Sequence, residues 1–249
     1  MDNLKNECLV GILTYNNGLD IKTTIEKIPR DYKYNVLIHV DGSTDGSDKI
    51  LDNYEFSVIR QEKNSGIGSS IRNVIFYAIK NDYKYCILLP GNNKNDPNEA
   101  ERILKPIVDN KADFVQGSRY LEGSRRDYTP VFRLVMVKFY SLFFSIIAKR
   151  KITDALEGFR AIRLSIFDDT SINLNQEWLN TYGLETYLFF KVVKSKIIRY
   201  CEVGVSKVYP KDKKHLFNQE GKKYSHIRPF VDWWHIIKPI FFLTFGIKK

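Results

Sequence analysis

Three short polar stretches carry the residue types that could do chemistry in the first hundred residues: Tyr15-Asn16-Asn17, Asp41-Gly42-Ser43-Thr44-Asp45 and Gly91-Asn92-Asn93-Lys94. An aspartate at a strand end, here Asp41, can accept hydrogen bonds from a base N–H or a ribose hydroxyl. Tyr15 can flank a planar base by stacking. Gly66 and Gly68 stand before a helix, where glycine lets backbone approach backbone or a ligand closely. Asp45 suits the N-cap of a helix beginning near Ser47. A second set is charged. Arg119, Arg125, Arg126 and Arg133 bring a permanent charge that pairs bidentately with phosphate. Asp154 and Glu157 are carboxylates of the kind that serve as general bases. Each loop alone also reads as an ordinary turn, because Asp-Gly and Asn-Gly are common turn formers.

What argues for a site is where the loops fall. Apolar runs at 8–15, 35–40, 56–60, 85–89 and 112–116 read as strands. They alternate with helix-like stretches at 21–28, 47–53, 69–81 and 97–109. Strict alternation predicts a mostly parallel α/β sheet with helices on both faces. In such sheets ligands bind beyond the carboxyl ends of the strands, and the three polar loops follow three of those ends.

The chain has 249 residues, 43% of them hydrophobic and 27% charged, enough for a full core in one domain. Its net charge of +10 favours anionic partners, and Lys and Arg gather between 119 and 150 and again beyond 191. Nucleic acid is a poor fit, because no aromatic-plus-basic recognition motif or helix-turn-helix spacing accompanies the charge. The three cysteines, Cys8, Cys86 and Cys201, lie far apart and form no CxxC pair. They predict no disulfide scaffold and a reduced, cytoplasmic compartment. The polar start, MDNLKNECLV, lacks the pattern of a signal peptide, and no run of about 18 uninterrupted apolar residues predicts a membrane span.

In order along the chain, the motifs resemble those of family 2 glycosyltransferases of the GT-A (Rossmann-like) fold, and most closely the dolichol-phosphate (polyprenyl-phosphate) mannosyltransferase-like branch. The resemblance spans residues 8 to about 210. Leu13-Thr14-Tyr15-Asn16-Asn17 is similar to the family's Pro-x-Tyr-Asn-Glu. Asp41-Gly42-Ser43-Thr44-Asp45 matches Asp-Asp-Gly-Ser-x-Asp without its first Asp, and Asn64-Ser65-Gly66-Ile67-Gly68 matches Asn-x-Gly-x-Gly. Gly117-Ser118-Arg119-Tyr120, Arg133, and Asp154 with Gly158-Phe159-Arg160-Ala161 complete the set. The resemblance implies an inverting transfer of a sugar from a nucleotide-sugar donor to a polyprenyl-phosphate acceptor at the cytoplasmic membrane face. It implies that Leu13, Tyr15, Asn17, Asp41, Ser43, Gly66, Gly91 and Asn92 hold the donor, and that Arg119 and Arg133 grip the acceptor phosphate.

The chain departs from this pattern at two places. The family holds Mg²⁺ or Mn²⁺ with an Asp-x-Asp after the fourth strand; here those positions are Pro90 and Asn92, with Lys94 beyond. Three readings follow. Lys94 replaces the cation as a point charge; or a metal still binds through Asn92, donor phosphates and water; or the chain binds a nucleotide-sugar without catalysis. The second departure is Leu156-Glu157 where the branch has Thr-Ser. A phosphate acceptor needs little or no base, whereas Glu157 or Asp154 as a base would suit a sugar hydroxyl in cell-surface polysaccharide synthesis.

The boundaries predicted are a glycosyltransferase domain over 1–210, with a nucleotide-sugar half at 1–117 and an acceptor half at 118–210. A basic loop and amphipathic segment follow over 211–249. In the loop, His226 stands where the family carries a basic residue to the diphosphate. Two stretches suit a peripheral membrane surface. Between Arg133 and Lys149 the polar residues Lys138, Ser141, Ser145 and Lys149 form one narrow stripe on an otherwise apolar helix. Near the end, Trp233-Trp234 leads into Ile236–Leu243 and terminal lysines.

Overall fold

The computed structural model describes residues 4–209, 211 and 231–248. A seven-stranded sheet is built from β1 (Cys8–Thr14), β2 (Asn35–Asp41), β3 (Ser57–Gln61), β4 (Tyr85–Pro90), β5 (Phe114–Ser118), β6 (Arg160–Arg163) and β7 (Tyr200–Gly204). Their spatial order is β3-β2-β1-β4-β6-β5-β7. All neighbours run parallel except β6, which is antiparallel to both β4 and β5. The helices are α1 (Leu4–Glu7), α2 (Leu19–Glu26), α3 (Ser47–Ile50), α4 (Ile67–Lys80), α5 (Ala100–Val108), α6 (Val131–Ala148), α7 (Gly183–Lys194) and α8 (Val231–Thr244). The mostly parallel α/β sheet of the sequence reading is what forms, with each predicted element within a few residues of its place.

Alternation along the strands sorts side chains into two cores, one per face. Leu9, Leu37, Leu88, Phe114 and Ile162 point to the face covered by α4, α6 and α7. Val10, Ile38, Ile87, Val115 and Ala161 point to the face covered by α2 and α5. β1 is buried along its whole length, as a central strand covered on both sides must be. The N-terminus of α4 is locked by close approach. A Cβ on Gly68 would lie 1.9 Å from the Leu179 carbonyl oxygen, and one on Gly66 (φ 94°) would lie 2.5 Å from that of Asn180. The glycine pair therefore serves backbone-to-backbone contact, reinforced by Ser69 N–H donating to the Asn180 carbonyl at 3.0 Å.

On α6 the structure gives the two serines of the polar stripe their direction. Ser141 is buried and its hydroxyl accepts from Ala155 N at 3.0 Å, while Ser145 accepts from Ile152 N at 3.0 Å. These serines face inward because they satisfy the amides of the segment entering the 152–157 loop. The outward face is the apolar one: Val131, Phe132, Val135, Phe139, Leu142 and Ile146 are each more than half exposed. By length and composition alone α6 could cross a membrane. Its other face packs into the domain, with Phe144 stacked 5.1 Å from Phe189 of α7. α8 lies on α7 as well, burying Ile240 and packing Phe242 at 5.5 Å from Trp178. It leaves Trp234 and Phe241 exposed, and Phe245 just after it is exposed too.

Candidate functional site

The ends of β1 and β2 are tied into one platform. Asn16 N–H donates to Ser43 Oγ at 3.0 Å, and Thr44 N–H donates to Asn16 Oδ1 at 2.7 Å. Asp45 accepts from Gly18 N at 2.8 Å and from Ser47 N at 3.0 Å. It acts one residue before the αL cap residue Gly46. Asp41 is buried, and its two oxygens accept the amides of Ser65 (2.8 Å) and Gly66 (2.9 Å). Its first task is to hold the β3–α4 loop beside the strand end; each oxygen keeps a further lone pair for a ligand. Asn17 turns back to Thr14, its Nδ2 donating to Oγ1 at 2.9 Å. Leu13 presents its carbonyl to Gly91 N–H at 2.8 Å, which ties the β1 and β4 ends together.

Two strands from Asp41, about 10 Å at the usual strand spacing, the loop after β4 bends over α2. Asn93 N–H donates to Thr24 Oγ1 at 3.0 Å, and Asn92 Oδ1 accepts from Lys94 N at 3.3 Å. A cavity of about 520 Å³ opens here, lined by Asp20, Asn92, Lys94, Arg125, Ser206 and Tyr209, among others. Its far wall is the segment after β7, anchored by Val208 N–H to the Lys94 carbonyl (2.8 Å) and Tyr209 N–H to the Asp127 carbonyl (3.0 Å). Lys94 Nζ stands 4.9 Å over the Tyr209 ring, and Arg133 donates to Tyr209 Oη at 3.1 Å. Burial, and then the charges of Lys207 and Arg133, push the Lys94 ammonium down to about 7.

Behind the cavity lies a knot of buried charges. Arg119, 3% exposed, grips Asp154 through Nε (2.6 Å) and Nη2 (2.9 Å). Glu157 is fully buried. Its Oε1 accepts from Lys207 Nζ (2.9 Å), Asn95 Nδ2 (3.1 Å), Gly158 N (3.0 Å) and Phe159 N (3.2 Å). Its Oε2 lies 3.6 Å from Arg119 Nε. Burial pushes this carboxyl up, but Lys207 and Arg119 outweigh burial and hold it below the usual carboxylate range. The loop between is positioned by Gln116, which donates to the carbonyls of Asp154 and Glu157, and by Glu202, which accepts the amides of Thr153 and Asp154.

The structure thus brings Asn92 and Lys94 to the cavity, sets Arg133 behind its Tyr209 wall, and places Tyr15, Asp41, Ser43 and Gly66 at the adjoining strand ends. It corrects the expectation for Arg119. That guanidinium is enclosed by Asp154 because the Asp154 carboxylate, fully buried, can stay charged only with a cation against it. Asp154 and Glu157 are likewise closed into ion pairs. His226 lies outside the described residues. His39 is wholly buried within β2, with Nε2 3.2 Å from Asn73, as its place inside a strand implies. Sequence reasoning missed Lys207, Asn95 and Tyr209. Lys207 counted only as one of many basic residues, although Val-Ser-Lys-Val directly after a strand was a signal that the chain stays buried there. Among the described residues no group of three or more His, Cys, Asp or Glu side chains gathers as a metal site does.

Comparison with known proteins agrees with the motifs. Residues 9–171 match the model of the family described as glycosyl transferase family 2. The polyprenol monophosphomannose synthase of Mycolicibacterium smegmatis is 24% identical over 66% of this chain and 64% of its own length. The UDP-N-acetylglucosamine–dolichyl-phosphate N-acetylglucosaminyltransferase of Methanococcus voltae is 20% identical over 80% of this chain and 84% of its own. Among solved structures, mannosyl-3-phosphoglycerate synthase from Rubrobacter xylanophilus superposes with a TM-score of 0.66 at 13% identity, over 98% of this chain and 76% of that one. Glucosyl-3-phosphoglycerate synthase from Mycobacterium tuberculosis, solved with Mn²⁺ and UDP-glucose, gives 0.61 at 12% identity, over 85% and 73%. With the family model covering most of the sheet and its strand-end loops, this chain belongs to glycosyl transferase family 2.

Proposed function

We propose that this glycosyltransferase moves a sugar, with inversion, from a nucleotide-sugar donor to a lipid-linked phosphate of the polyprenyl type at the inner face of the membrane. The observation that carries the reading is the state of Glu157 and Asp154. Both are buried against cations, and Glu157 is held below the usual carboxylate range. A carboxylate so held is a poor proton acceptor, and taking up a proton would break its pair with Lys207 or Arg119. A hydroxyl acceptor needs such a base; a phosphate is already an anion at pH 7 and does not. The relatives named for polyprenol and dolichyl phosphate favour the same acceptor class.

On this reading Tyr15, Asp41 and Ser43 take the base and ribose, and Arg133 takes the acceptor phosphate. The outward row on α6, with Trp234 and Phe241 of α8 and Phe245 just after it, supports peripheral contact with lipid. Arg133 lies in the first turn of α6, so one helix carries both the phosphate-binding charge and the apolar face.

The test is transfer of radiolabelled sugar from UDP- and GDP-sugars, with undecaprenyl phosphate or free oligosaccharides as acceptors. Label passing into the organic phase, with the anomeric configuration inverted by NMR, is the expected outcome. Label passing only into oligosaccharide, or retention of configuration, rejects the reading. Vesicle flotation checks the membrane face: Phe139→Glu with Ile146→Glu should abolish flotation and leave Tm unchanged, because both side chains are 69% exposed.

A further inference from the structure

A nucleoside diphosphate carries negative charge on both phosphates while bound to the glycosyl carbon and gains one more as that bond breaks, so a site for it must supply positive charge. The glucosyl-3-phosphoglycerate synthase above was solved with Mn²⁺ and a UDP-sugar. The residues of this chain do not fit such an ion. At the corresponding strand end Pro90 has no side-chain ligand atom, and Asn92 offers one neutral side-chain oxygen, already facing Lys94 N at 3.3 Å. Asp96 is engaged by Asn98, whose backbone and side-chain N–H groups donate at 3.0 and 2.8 Å. Two carboxylates, Asp20 and Asp96, also line the cavity, but the largest charge effects on Lys94 come from cations. Lys94 comes from the β4 loop, Arg133 from α6 and Lys207 from the segment after β7; Lys207 and Arg133 both act on Lys94. Three cations from three separate elements repel one another, and a divalent ion among them would add to the repulsion.

We propose that this cavity receives the donor's diphosphate without a divalent cation, the Lys94 ammonium supplying the charge that a metal supplies in metal-dependent relatives. The inference rests on the nucleotide-sugar reading given above. Tyr209 is the positioning residue: its ring lies under Lys94 Nζ and its hydroxyl accepts from Arg133. Lys207, pinned by Asn95 and Glu157, adds a fixed positive field from behind. In the transfer, the bond from the anomeric carbon to the diphosphate oxygen breaks with its electron pair going to that oxygen. The new bond forms from an acceptor phosphate oxygen, and no proton need leave the acceptor. An incoming diphosphate also favours the ammonium form of Lys94, since an opposite charge within a few ångströms stabilises it. Asp20 and Glu157 act on Lys94 in the same direction, and Lys207 and Arg133 against it.

The experiment is calorimetric titration of the full chain with UDP, GDP, UMP and GMP, in EDTA and again in Mn²⁺ or Mg²⁺. The expected result is that UDP or GDP binds about equally in both conditions. Lys94→Met should weaken the diphosphate roughly tenfold or more, Lys94→Arg should keep most of the affinity, and neither should change binding of the monophosphate. The monophosphate arm separates lost charge from lost folding, since a misfolded variant would lose both ligands. Diphosphate binding that requires the metal, or that Lys94→Met leaves unchanged, overturns the inference while the nucleotide-sugar reading stands. Binding of no nucleotide under any condition overturns that reading, and this inference with it.

Discussion

The two ends of the site solve opposite problems. At the β1 and β2 ends the loops are held by hydrogen bonds to backbone amides, and two carboxylates, Asp41 and Asp45, each organise two of them. At the β4 end, charge is concentrated instead: Lys94 lines the cavity, Arg133 reaches it through the Tyr209 hydroxyl, and Lys207 is held behind it by Glu157. The first end is built for stability and presents shape. The second spends stability to hold a field ready for an anion, which is the usual price of a preorganised site.

Substitutions should split along this line. The largest effect belongs to the charge knot behind the cavity. Arg119→Met strands a fully buried Asp154, and urea unfolding should show a loss of about 3–5 kcal/mol. A stability near wild type would mean that Asp154 is protonated or reaches water, and the knot would not be the cavity's foundation. Next, Asp41→Ala leaves the Ser65 and Gly66 amides without their acceptor. It should cost about 2–3 kcal/mol by the same measurement, with nucleotide affinity falling as the loop loosens.

Lys94→Met should have the opposite sign. Removing a desolvated cation from among like charges should raise Tm, by about 1–2 kcal/mol of stability once water in the open cavity is allowed for, while transfer activity falls. A drop in Tm would erase the contrast between the two ends. The same variant sharpens it through pH. The folded chain releases the Lys94 proton near 7, whereas the unfolded chain keeps it to the ordinary lysine range. Between those values the unfolded state binds more protons, so wild-type stability relative to Lys94→Met should rise with pH. Below about 7 the deficit should be complete and constant. Denaturant midpoints of both proteins across pH 6–10 read this directly. The smallest effect is expected at Arg125, paired with Asp127 on the open rim of the cavity. Arg125→Ala should leave Tm unchanged and shift only the salt dependence of anion binding.

How much of this was legible in the sequence follows from how local each feature is. Strand and helix positions were readable because each rests on a short apolar pattern and a turn. Asp41 and the paired glycines could be singled out by their spacing. That Gly68 faces the Leu179 carbonyl could not, because that contact joins segments more than a hundred residues apart. Arg119 and Arg133 looked alike in the sequence, one before the apolar helix and one in its first turn. Only the position of Asp154, before the neighbouring antiparallel strand β6, makes one a structural ion pair and leaves the other against Tyr209 of the cavity wall. On α6 the sequence marked the polar residues and left their direction open. Serines there face inward to satisfy loop amides that no helical pattern reveals.

The outward row on α6 runs from Val131 to Ile146, about 22 Å at 1.5 Å per residue, and the same helix holds Arg133 at its cavity end. With that row in lipid, as proposed above, the catalyst and one substrate share a plane. The quantity that sets turnover is then the mole fraction of acceptor in the bilayer. Adding inert lipid at constant bulk acceptor would slow the reaction by dilution in two dimensions, while the donor arrives from the third.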